Sequence, residues 1–217
     1  MPNIFRFSLF GNFEGFTTNN TDTYLNLIRF FGARGYKPAT ANELQLQPNG
    51  QVRMLIMPTF LDDENGTVEI TSNRINFQKS VNYEIEFEEF SRCYMKGYDN
   101  IIASFSSEMN IISNRLALNV EITKSNTKHD IPLQSDYFSD KVVSEYSLKN
   151  ATRVLIDDEM CNVILEKYAD ANNNKVKYIY DINTLGETQQ LRFEISNISK
   201  MMMAFINTAI AVEKGLK

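Results

Sequence analysis

Residues 4–10 alternate at period two, with Phe5, Phe7 and Leu9 on one side. That spacing predicts a strand with one buried face. After a polar stretch, Thr21 or Asp22 can cap a helix in which Tyr24, Leu25, Ile28 and Phe31 recur at helical spacing. Gly32 or Gly35 can end this helix, and Pro38 opposes its continuation. Residues 52–60 are apolar on nearly both faces: Val52, Met54 and Ile56 on one, Leu55 and Met57 on the other. A central strand covered on two sides is expected, with Pro58 near its end or at a bulge because it donates no ladder bond. Asp62-Asp63-Glu64-Asn65-Gly66 reads as a hairpin connection, followed by short strands over 67–71 and 74–79.

The strongest helical period is the stripe Tyr83, Phe87, Phe90, Tyr94, Tyr98, Ile101 and Phe105, with charged residues between. Leu116, Leu118, Val120 and Ile122 then alternate with Ala117, Asn119, Glu121 and Thr123, one face buried and one wet. Residues 125–135 are polar and read as loop, and 139–148 as a short helix. A meander of strands over 152–157, 160–168, 176–182 and 190–195 follows, separated by turn-forming residues. Residues 196–214 form an amphipathic helix with Ile198, Met201, Met202, Phe205, Ile206, Ala209 and Ile210 on one side.

Consecutive strands followed by helices, without strand–helix alternation, indicate an α+β fold. Its expected form is mainly antiparallel sheet of short strands with two or three amphipathic helices packed on one face. The chain reads as one domain over 1–217, with sheet-plus-helix halves near 1–124 and 137–217 as the alternative division.

Composition narrows the partners. A net charge of −5 and a pI near 5.1 give no basic field for phosphate neutralisation, so nucleic acid is not expected. The apolar runs are too short to span a bilayer and the start lacks a secretory pattern, so a cytoplasmic protein is expected. Cys93 and Cys161 have no CxxC partner and read as free, buried thiols.

Candidate chemistry is sparse. His129, the one histidine, lies in a polar loop without a nucleophile motif, and a single histidine rules out sites needing two. The trios Asp62-Asp63-Glu64 and Asp157-Asp158-Glu159 could hold a hard cation, but their spacing is not that of an EF-hand loop. Both read better as turns. No glycine-rich phosphate loop is present, and no cofactor or metal is expected. Met201-Met202-Met203 suggests an adaptable binding surface, although Met201 and Met202 also complete a core stripe.

Residues 68–79, the helix from Tyr83 to Phe105 and the strand Arg115-Leu116-Ala117-Leu118-Asn119 together resemble an uncharacterised, sporadically distributed family of prokaryotic proteins. Its members show a strand, a long helix and an R-L-x-x-N strand. The resemblance covers the middle third of the chain. It implies a prokaryotic or phage origin and carries no catalytic residue across. The expected function is a non-enzymatic accessory factor that binds another protein or a second copy of itself. Met201, Met202, Phe205 and Ile206 are its candidate interface. The alternative is an enzyme or metal-dependent factor whose carboxylates converge in three dimensions.

Overall fold

The computed structural model describes residues 2–16, 20–46, 48–125, 145–170, 175–185, 193 and 195–215. These form one antiparallel sheet and three helices, an α+β fold. In chain order the elements are β1 (Asn3–Phe10), α1 (Thr21–Gly32), β2 (Lys37–Leu46), β3 (Val52–Leu61), β4 (Gly66–Ile70), β5 (Arg74–Val81), α2 (Phe87–Glu108), β6 (Arg115–Ser125), β7 (Glu145–Ile156), β8 (Glu159–Asp170), β9 (Lys175–Thr184) and α3 (Ile195–Lys214). The nine strands lie in the order β2-β3-β4-β5-β1-β6-β9-β8-β7, so β1 is central and β2 and β7 are the edges. The two expected halves share this one sheet, joined at the β6–β9 ladder.

The core lies between one face of the sheet and the helices. Phe5 and Phe7 of β1 are fully buried there. Phe5 stacks on Tyr94 at 4.3 Å and meets Phe90 edge-on at 5.6 Å, which docks α2 on the sheet centre. Phe7 reaches Phe205 of α3, Phe87 of α2 reaches Tyr180 of β9 at 4.8 Å, and Phe31 of α1 stacks on Phe60 of β3 at 4.4 Å. Such offset and edge contacts add to the hydrophobic gain of burying large rings. Buried tyrosine hydroxyls find carbonyl partners, as they must: Tyr94 donates to Phe77 O at 2.8 Å and Tyr98 to Gln78 O at 2.5 Å.

Turn chemistry accounts for the two acidic trios. Asp62 Oδ1 accepts from the amides of Glu64 and Gly66, while Asp63 and Glu64 pair with Lys37 and Lys79 at 2.6 and 2.9 Å. Asn65 supplies the positive φ of 63° that precedes β4. Asp157 and Asp158, at φ 50° and 66°, form the two-residue turn between β7 and β8, and Asp157 pairs with Lys200.

Several expectations need correction. A strand at 37–46 was not expected from this polar, proline-bearing segment, yet it pairs with β3 along its whole length. The strand at 52–61 is therefore next to an edge, not central, and Val52, Met54 and Ile56 are exposed. Pro58 sits one residue before the stretch paired to β4, where β3 has a neighbour on one side only. Tyr83 precedes α2 and is exposed, and Ile102 takes the buried position expected of Ile101. Residues 145–148, assigned to a short helix, belong to β7, and Ile195 opens α3 instead of closing a strand. Cys93 is exposed and Cys161 is buried, and no disulfide joins them.

Candidate functional site

The four residues expected to form an interface lie inside the chain. Met201, Met202, Phe205 and Ile206 are at most 3% exposed, on the face of α3 that covers the sheet. The core takes this stripe because the sheet presents an apolar face beneath it, where Phe7 of β1 meets Phe205 and Leu118 and Ile182 continue the same face on β6 and β9. Of the methionine trio only Met203 is exposed. His129 lies outside the described residues.

Three regions carry unusual chemistry. The first is a cleft of about 350 Å³ between the start of α2 and the end of α3, lined by Glu86, Phe87, Glu89, Arg92, Ile210 and Glu213 among others. Glu213 is buried, accepts from the Tyr180 hydroxyl and binds Lys124 Nζ at 2.8 Å, while Lys124 also reaches Glu86 at 3.3 Å. Burial alone would lower the Lys124 pKa, but its bonds and charges with Glu213 and Glu86 outweigh that and raise it. Tyr180 is raised by burial first and by the neighbouring Glu213 carboxylate second. These groups engage one another and tie α2 and α3 to β6 and β9. Among the described residues no group of three or more His, Cys, Asp or Glu is placed to hold a metal.

The second region is the sheet face opposite the helices. Register lines up polar side chains across its middle strands: Asn76 donates to Glu69 at 2.9 Å, Ser8 to Asn76 at 2.8 Å, and Arg6 to Gln78 at 2.6 Å. At one end of these strands Phe10 lies between Arg74 and Arg115, and the Arg115 guanidinium sits over its ring at 4.9 Å. This face is a hydrogen-bonded polar layer with a cation–π contact at its margin.

The third region is the β2–β3 hairpin, and it breaks the ordinary rule of burial. Side chains at even positions of β3 point to the helix side, as Phe60 does against Phe31. Along that side cover falls away with distance from α1. Phe60 is fully buried and Pro58 buried, but Ile56, Met54 and Val52 are 43, 61 and 64% exposed. Across the ladder Leu44 faces Met54 and Leu46 faces Val52, and these leucines are 71 and 76% exposed. The result is a continuous aliphatic stripe on one face of a hairpin that runs beyond the helical layer. β2 is also an edge, with β3 on one side and no described strand on the other.

Sequence reasoning missed this surface although the signal was present. Leu44 and Leu46 alternate, Val52, Met54 and Ile56 alternate, and Pro48-Asn49-Gly50 between them is turn chemistry, with Gly50 at φ +80°. No protein-family model, curated protein or solved structure matches the chain.

Proposed function

We propose that this chain is a non-enzymatic, protein-binding accessory factor whose contact surface is the outer half of the β2–β3 hairpin. The observation that carries the reading is the stripe Leu44, Leu46, Val52, Met54 and Ile56, aliphatic and exposed on a single face. Burying one such side chain is worth about 1.5–3 kcal/mol, so a surface presenting five together favours contact with another apolar surface. The polar cluster of the α2–α3 cleft supports the same reading, because Glu213 and Glu86 are engaged in holding helices to the sheet.

A photo-crosslinking residue installed at Leu46 tests this in the cells that make the protein. Protein adducts are expected from Leu46 and not from the same residue installed at Tyr168 near the opposite edge. A Leu46 position that yields no protein adduct would remove the hairpin as the contact surface.

A further inference from the structure

Resting on that reading of the hairpin, we infer that its occupant is a second copy of this chain, joined edge to edge through β2 about a two-fold axis. Three observations lead there.

The first is the strand itself. β2 runs ten residues and is paired along all of them on its β3 side, and among the described residues no strand meets its other rim of backbone N–H and C=O groups. Such a rim is a template for another strand. A strand meeting its own copy antiparallel satisfies both rims at once, and the two-fold axis closes the assembly at two chains.

The second is the placement of the stripe. Directly opposed residues of an antiparallel pair point to the same side of the sheet. Two β2 strands related by an axis perpendicular to the sheet therefore keep their helix sides together. Leu44, Leu46, Met54 and Val52 of one copy then lie beside the helix side of the other. The stripes of both copies then lie on one side of a continuous sheet, and neither is turned to the opposite face.

The third is the area. The five side chains leave on the order of 500 Å² of apolar surface bare, close to the roughly two-thirds apolar share of the ~800 Å² each partner gives to a standard homodimer interface. A larger partner would need apolar area that this region does not offer. A smaller one would leave much of the stripe in water.

Light scattering on the purified protein across a dilution series tests the inference. The expected result is a particle of twice the chain mass at high concentration. The Leu44→Glu, Met54→Glu double variant should be a folded monomer, and Tyr168→Glu should remain a dimer. If the double variant fails to fold, Thr40→Cys in a Cys93→Ser background decides instead. Thr40 is exposed on β2, and a bis-maleimide long enough to span the offset between the two copies should link two chains through it. A wild-type protein that is monomeric at every concentration and gives no Thr40→Cys dimer overturns the inference. In that case Leu46 adducts to a different protein would leave the proposed function standing, while absence of any adduct would remove both.

Discussion

The two edges of the sheet are built from similar hairpins and finished differently. At the β7–β8 edge the helix-side residues Ile156, Cys161 and Val163 are buried, with α3 lying over them. Its exposed apolar residues are scattered: Leu148 is on the helix side, while Leu155, Met160 and Tyr168 are on the outer face. Ion pairs cross the same region, Lys149 with Glu166 at 2.6 Å and Lys200 with Asp157 at 2.7 Å. At the β2–β3 edge helical cover reaches only the root, around Phe31, Tyr36 and Phe60, and five bare residues gather in one stripe, with Leu61 exposed on the other face. An edge that is covered and laced with charge is finished within the chain. One that gathers uncovered aliphatic residues on a single face leaves apolar area in water, which is the basis of the contact proposed for it.

The sharpest break between covered and bare should appear within the β2–β3 hairpin and its helix. Phe31→Ala removes a fully buried ring stacked on Phe60 and should cost about 3–5 kcal/mol in chemical denaturation. Leu46→Ala, on the same hairpin but exposed, should move a dilute, monomeric sample by less than about 0.5 kcal/mol. Equal effects would mean that the hairpin tip is packed within the chain.

The turn that follows β3 gives the next effect. A Cβ on Gly66 would collide with the Asp62 carboxylate and stand 2.8 Å from the Tyr98 hydroxyl. Gly66→Ala should therefore destabilise by about 1–3 kcal/mol, the range for forcing extra atoms into packed space. A companion Asp62→Ala change should relieve part of that cost by removing the carboxylate. No relief in the double variant would place the strain elsewhere.

Alkali probes the covered root. Burial raises the Tyr36 pKa to about 12, above the value near 10 it has when unfolded. The folded state holds its proton where the unfolded state has lost it. The stability Tyr36 contributes is complete below pH ~10 and falls away as pH rises toward about 12. Tyr94 and Tyr98, also raised by burial, act in the same direction. Tyrosinate absorbance should thus rise together with unfolding, and Tyr36→Phe should flatten the loss above pH ~10. Titration of Tyr36 in the folded protein near its ordinary value would contradict its buried place.

The smallest effect belongs to the charged edge. Lys149 is raised and Glu166 lowered, each chiefly by the hydrogen bond between them, and both are exposed to screening. Lys149→Met should change the melting temperature slightly at low salt and not at high salt. A large, salt-insensitive loss would show that the pair is structural.

The sequence made the covered parts of the molecule legible because their periods are unambiguous. Phe87, Phe90, Tyr94 and Tyr98 are buried on α2 as their spacing requires, and Ile198, Met201, Met202, Phe205, Ile206 and Ala209 on α3 likewise. The same clarity misled about function. An apolar helical stripe looks alike whether it docks on its own sheet or on another molecule, and Met202 and Phe205 dock on their own. The β2–β3 hairpin was hidden for the opposite reason. Lys37-Pro38-Ala39-Thr40 has weak strand propensity, and β3 looked central because residues on both of its faces are apolar. The ladder shows that an edge strand lies beside it, and the exposure of Val52, Met54 and Ile56 shows that cover ends before its outer half.

Amide hydrogen exchange of the two edge strands, followed as a function of protein concentration, tests the central claim most directly. The outward-facing amides of β2 (Lys37–Leu46) should become protected as concentration rises, while those of β7 (Glu145–Ile156) keep one rate throughout. Exchange that is fast and concentration-independent along both edges would contradict the assignment of β2 as the strand that meets a second copy.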